Sequence, residues 1–351
     1  MPQLNLDCEG PLTLNDNAFE LCAHFIPQGD KLFALVSKYD DYLADIEKRP
    51  GYKAGDTLKL VLPFLKAFDV TNRLMKEFSQ KTLKLVPKAL AFLRFAAKVW
   101  PTYIISTSYR PYLEALSAVS DFPLENVFCT EVDLDKVHLS REEIKLLQEL
   151  AREIATLPMI DWPENAKALS DLPPESQKVI LRLDQIFWQI IPETAAGRFL
   201  EEVNPIGGPE KARAVSESLE RTGLTAEDVL YVGDSITDVE AFSLVRENQG
   251  GSVSFNGNRY ALRAAEFFAL APQAASLACL AVIFDQGGRE GLLKEARAQS
   301  FHPCKRLEGE LASYAVDFAF GLVADFAFEE LVARSVSLRK KVRGAAVGAL
   351  G

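Results

Sequence analysis

Short apolar runs alternate with long stretches of helical periodicity along this chain. Residues 2–7, Thr102–Ser106, Asn126–Thr130, Val229–Gly233, Ser252–Phe255 and Glu266–Leu270 read as strands, bounded by turn formers such as Pro101 and Asn256-Gly257-Asn258. Between the first two runs, Ala18–Phe25, Lys31–Ile46, Thr57–Phe68, Val70–Phe78 and Pro87–Val99 carry apolar residues at helical spacing, broken at Arg49-Pro50-Gly51. A second helical block fills 138–202. Ser140 and Glu143 form a capping box that opens it, and a proline-bearing stretch divides it. Helices are also expected at Pro111–Val119, Glu210–Thr222, Ala274–Phe284 and Glu290–Ala298, the last two split by Gly287-Gly288. The remainder, 305–351, is helix-prone and ends in Arg339-Lys-Lys-Val-Arg343, which reads as a solvated helix end.

Strands alternating with helices imply an α/β fold with a parallel sheet. Two strands end in acidic loops, Asp7-Cys-Glu9-Gly and Gly233-Asp234-Ser-Ile-Thr-Asp238, more than two hundred residues apart. They meet only if the strands are neighbours, with the loops at the carboxyl edge where such sheets bind ligands. Converging carboxylates there suit a hard cation such as Mg2+ and leave an oxygen able to attack phosphorus.

The composition narrows the setting. The chain has 351 residues, 48% of them hydrophobic, enough for more than one domain. A formal net charge of −10 argues against nucleic acid and anionic membrane surfaces. No uncharged apolar run is long enough for a membrane span, and no signal segment precedes the first strand. Five scattered cysteines show neither a disulfide framework nor zinc-ligand spacing, which fits a cytoplasmic protein. His24, His138 and His302 stand alone and read as structural or exposed.

The order Asp7-x-Glu9-Gly, Ser106 after a strand, Lys211 at a helix start and Gly233-Asp-x-x-x-Asp238 resembles the four motifs of the haloacid dehalogenase (HAD) superfamily. The helical insertion after the first motif is similar to the cap of its phosphoserine phosphatase-like branch. More loosely, the whole chain resembles an uncharacterised archaeal HAD group associated with energy-converting hydrogenases. The resemblance implies a Rossmann-like three-layer parallel sheet with a helical cap and a second helical insertion. Residues 1–14, 100–137 and 203–300 would form the core, 15–99 the cap, 138–202 the insertion and 301–351 a helical C-terminal extension.

It also implies roles. Asp7 would be the nucleophile of an aspartyl-phosphate mechanism and Glu9 the general acid and base. Ser106, the Thr107 backbone N–H and Lys211 would hold the phosphoryl group. Asp7, the Glu9 carbonyl, Asp234 and Asp238 would bind Mg2+, and Asp16 would read the substrate. The chain departs from the pattern at Glu9, where the superfamily usually has Asp, and at Thr107-Ser108, where related phosphatases often carry glycines. Residues 52–66 offer only Lys53, Lys59 and Lys66 in place of a carboxylate-reading arginine, which puts phosphoserine in doubt as the substrate. The expectation is a Mg2+-dependent phosphomonoester hydrolase acting on a small phosphorylated metabolite. Transfer to an acceptor hydroxyl and a non-catalytic partner subunit are the alternatives. The C-terminal extension is left as the surface for a protein partner.

Overall fold

The computed structural model describes residues 1–163, 165–298 and 318–349. Residues 305–317 of the expected C-terminal helix, like His302 and Cys304 before them, lie outside the described residues. Among them, seven strands form one sheet in the order β3-β2-β1-β4-β5-β6-β7. The strands are β1 (Gln3–Leu6), β2 (Thr102–Tyr109), β3 (Val127–Thr130), β4 (Val229–Gly233), β5 (Gly251–Phe255), β6 (Phe267–Leu270) and β7 (Ala319–Leu322). Pairing is parallel through β6, while β7 is antiparallel. The chain first builds outward on one side of β1 and then returns to its other side. The switch in direction therefore falls between β1 and β4, and the crevice beyond their carboxyl ends receives Asp7 and Asp234.

Alternation along the strands sorts side chains onto two faces. Leu4, Leu6, Leu230, Val232, Val253 and Phe255 pack under α5 (Ala89–Val99), α6 (Arg110–Ser120) and α13 (Ala275–Ala298). Ile105, Val229 and Tyr231 pack on the other face under α10 (Pro209–Thr222), α11 (Val239–Glu247) and α12 (Arg259–Ala264). The fold is thus a Rossmann-like three-layer α/β sandwich. The helix α5 precedes β2 and seats Phe92, Leu93 and Ala96 against the sheet. The helix α13 breaks at Gly288 (φ 55°), where the Gly-Gly pair lies.

The helices α1 (Asn17–Phe25), α2 (Gly29–Asp41), α3 (Thr57–Ala67) and α4 (Asn72–Thr82) stand above the carboxyl edge. The second block supplies α7 (Arg141–Thr156), α8 (Pro174–Gln185) and α9 (Gly197–Glu202). Its capping box is present, with Ser140 and Glu143 exchanging bonds of 2.7 and 3.2 Å. The two blocks share one apolar core: Leu32, Val36, Leu60 and Phe64 pack together with Leu147, Ile154, Leu183 and Phe187. Polar ties bind the same seam, with Tyr39 donating to Asp184, the Trp188 indole donating to Tyr39 at 2.9 Å, and Arg49 pairing with Asp184 at 2.8 Å.

The C-terminal extension differs from an all-helical tail. The strand β7 pairs with β6, and α14 (Phe328–Arg343) runs from there toward the carboxyl edge. Leu331 seals the join against Leu262, Phe268 and Leu270. β7 escaped the periodicity because four residues on a partly exposed edge show little alternation. No helix among the described residues is long and apolar enough to cross a membrane.

Candidate active site

Asp7 follows β1 directly, and its N–H donates to the Val232 carbonyl at 2.8 Å, which fixes the loop beside β4. One Asp7 oxygen accepts the Cys8 N–H at 2.7 Å, and the other pairs with Lys211 Nζ at 2.7 Å. Lys211 is fully buried and lies 2.7 Å from Asp238 Oδ1 as well. The cause of this placement lies in α10. Gln3 Nε2 and Asn5 Nδ2 of β1 donate to Ser218 Oγ at 2.7 and 3.0 Å, and Thr222 donates to Gln3 Oε1 at 2.7 Å. Lys211, Ser218 and Thr222 are spaced to share one helical face. The contact that docks α10 on β1 also aims Lys211 at the residue after β1.

Asp238 is held on both oxygens. Oδ1 accepts from Lys211 and from the Tyr231 hydroxyl at 2.8 Å, and Oδ2 accepts the N–H groups of Asp234 and Ser235 at 2.9 and 3.0 Å. Asp234 faces the cavity above β1. Gly10 makes this close approach possible: at φ +103° it favours glycine, and a Cβ there would overlap Asp234 Oδ2. Asp7, Asp234 and Asp238 each bring a carboxylate oxygen within 4.8 Å of the others. Hard carboxylate oxygens at this proximity fit a Mg2+ ion.

Glu9 and Asp16 meet at the N-terminus of α1. Glu9 Oε1 accepts the Asn17 N–H at 2.7 Å, and Asp16 caps the helix by accepting from Phe19 N at 2.9 Å. Asp16 therefore is an N-cap and lines the cavity as well. Burial, with Asp16 acting in the same direction, holds the Glu9 carboxyl well above the usual range, against Arg343 and the Asn17 N–H. Burial likewise pushes Asp7 up; Lys211 opposes it, and Asp238 and Asp234 add to it. A cation held among these carboxylates would favour the charged form of Asp7, as Lys211 does.

Ser106 and Thr107 also line the cavity, though β2 continues past them to Tyr109 with a break in register after Ile105. Ser106 is buried and accepts the Ser108 N–H at 3.2 Å; Thr107 donates to the Ile206 carbonyl at 3.0 Å. The cap lines the cavity with Phe33, Asp40, Asp41 and Thr57, and about 110 Å³ is left. Gly55 (φ +93°) touches down on the core, where a Cβ would lie 3.0 Å from Thr107 Cγ2 and 3.1 Å from Thr237 Cγ2. Its N–H is held by Asp40 at 2.9 Å.

Two residues at the site were not expected here. Arg339 and Arg343 do not form a solvated helix end: both side chains are about 5% exposed and pair with Asp234 Oδ2, Arg343 at 3.1 Å. Arg343 also donates to the carbonyls of Leu14 and Asn15. Lys340 and Lys341, between them, are exposed. The signal was a stripe at four-residue spacing, Leu331-Ser335-Arg339-Arg343, which puts the two arginines on the face that Leu331 buries.

No protein-family model matches the chain, and no curated protein matches it. Gene product AF1437 from Archaeoglobus fulgidus has a similar structure, with a TM-score of 0.83 and 29% identity over 100% of this chain and 99% of that one. The similarity thus runs through the sheet, both helical blocks and the C-terminal extension. A HAD family hydrolase from Salmonella enterica serovar Typhi aligns at a TM-score of 0.43 and 10% identity, covering 73% of this chain and 62% of that one. That likeness is too loose to carry an argument.

Proposed function

We propose that the chain is a Mg2+-dependent phosphomonoester hydrolase of the HAD type, working through an aspartyl-phosphate on Asp7. The observation that carries this reading is Lys211 Nζ at 2.7 Å from both Asp7 and Asp238, which brings three separated sequence motifs to one point. A carboxylate held beside a buried cation at the carboxyl edge of the sheet is positioned for attack on phosphorus.

Asp7, Asp234 and the Glu9 carbonyl would hold the Mg2+, which when bound neutralises charge on Asp7 and on the phosphoryl oxygens. Asp238, each of whose oxygens already accepts two hydrogen bonds, would face the cation through water, and it also fixes Lys211 and the Asp234 loop. Lys211 and Ser106 hold phosphoryl oxygens and stabilise the charge that develops on them. An Asp7 oxygen forms the new bond to phosphorus while the bond to the leaving alcohol breaks. Glu9, kept protonated by burial, gives its proton to the departing oxygen. The same carboxylate then takes a proton from water as that water attacks phosphorus, which frees phosphate and restores Asp7. The cavity of about 110 Å³ suits a small substrate, and closure of the cap over it would exclude bulk water.

A panel of small phosphomonoesters with Mg2+ tests this. Phosphate release by the wild type and a loss of ~10³-fold or more in Asp7→Asn are expected. Undiminished release by Asp7→Asn would sink the assignment.

A further inference from the structure

The C-terminal helix enters a site whose other parts all come from residues before 239. The arginines reach a single atom there: Arg339 Nη1 and Arg343 Nη1 both pair with Oδ2 of Asp234. That oxygen is also the one pressed against Gly10. The other oxygen, Oδ1, receives no hydrogen bond from the described residues, although Asp234 borders the cavity that Asp7 lines. The carboxylate is therefore oriented, with one oxygen held by guanidinium groups and the other left without a hydrogen bond from the described residues.

Both arginines are themselves fixed. Arg343 is tied to the Leu14 and Asn15 carbonyls of the loop that joins the acidic strand end to α1. Arg339 also donates to the Asp234 backbone carbonyl at 3.3 Å. One turn earlier on the same stripe, the buried Ser335 donates to the Gly257 carbonyl at 2.6 Å and sets the height of the helix. Lys340 and Lys341 would offer the same charge, yet they are turned to solvent.

We infer that Arg339 and Arg343 are positioning residues for the metal site: they clamp Asp234 Oδ2 so that Oδ1 is presented to the divalent cation. Partners that hydrogen-bond a ligating carboxylate orient it, and their loss typically weakens metal binding. The C-terminal extension is on this account a component of the active site. The inference rests on the proposed Mg2+ site but not on turnover.

The test is Mg2+ binding to the full chain without substrate, read by titration calorimetry, with Asp234→Asn defining the site. Arg339→Gln and Arg343→Gln are expected to weaken Mg2+ binding roughly 10- to 100-fold. Glu329→Gln breaks an exposed pair with Arg259 at the far end of α14 and should leave the affinity unchanged. If Arg339→Gln does not fold, Arg339→Lys keeps the charge without the fork and should still bind Mg2+ more weakly than wild type. Unchanged affinity in the arginine variants would overturn the inference. So would tighter binding, which would make the guanidinium groups competitors of the cation, and so would a wild type that binds no Mg2+. A chain that hydrolyses nothing yet loses Mg2+ in Arg339→Gln keeps this inference and loses the phosphatase reading. Mg2+-dependent hydrolysis with an affinity unmoved by Arg339→Gln does the reverse.

Discussion

Lys211 Nζ stands 2.7 Å from Oδ2 of Asp7, and neither side chain has appreciable contact with solvent. An ion pair this deep is costly to break, because the remaining charge stays buried without a partner. Lys211→Met leaves Asp7 and Asp238 facing each other and should destabilise the fold by about 3 kcal/mol near neutral pH. Urea unfolding of the variant and the wild type at neutral pH reads this, and an unchanged midpoint would contradict it.

Glu9 is expected to act through its proton. Glu9→Gln keeps the shape and cannot protonate the leaving oxygen, so kcat should fall by roughly 10²–10⁴-fold with alkyl phosphates. With an aryl phosphate, whose leaving group departs without a proton, the loss should be much smaller. Equal losses on both substrates would remove Glu9 from that role.

The cap carries its own pH signature. Burial pushes Asp40 up to about 7, against the Tyr52 hydroxyl and with Asp41 and Asp56 adding to it. Asp41 rises to about 6, again through burial first, opposed by Lys38. The unfolded chain releases these protons near 3.8. Between about pH 4 and pH 7 the folded state therefore holds more protons than the unfolded one, and stability falls as pH rises through that window. Asp40→Asn cannot ionise and should flatten the fall. A urea midpoint that rises across the window, or a variant with an unchanged slope, would contradict this.

Gly10 leaves no room for a side chain beside Asp234. Gly10→Ala adds strain at φ +103° and pushes the Asp234 carboxylate aside. A destabilisation of about 1–3 kcal/mol is expected, with weaker Mg2+ binding. Calorimetry would check both, and wild-type affinity in the variant would show that Oδ2 has space to move.

How much of this was legible in the sequence depended on whether a contact is local or set by pattern. Asp7, Lys211 and Asp234 sit at strand ends or a helix start, and such places announce themselves through apolar runs and turn formers. That β1 and β4 are neighbours followed from the same acidic strand ends, whereas the full strand order did not. The union of the two helical blocks was not legible, because it depends on which apolar faces meet. Pairs such as Tyr39 with Asp184 lie far apart in the chain. The clamp on Asp234 was hidden for a similar reason. Arg339 and Arg343 read as a solvated basic cluster, since a run of charges normally faces water. Their burial comes from β7 docking on β6, and that strand was too short to notice. Even so, the stripe from Leu331 to Arg343 was written in the sequence as a face with buried ends.

The central claim is that Asp7 carries the phosphoryl group. The most direct measurement is an acid-quenched pulse with a substrate labelled in its phosphoryl group, in the presence of Mg2+, followed by digestion and mapping of the label. The account predicts label on the peptide that contains Asp7 and none in Asp7→Asn. Label mapped to another residue, or hydrolysis that continues at the wild-type rate in Asp7→Asn, would contradict it.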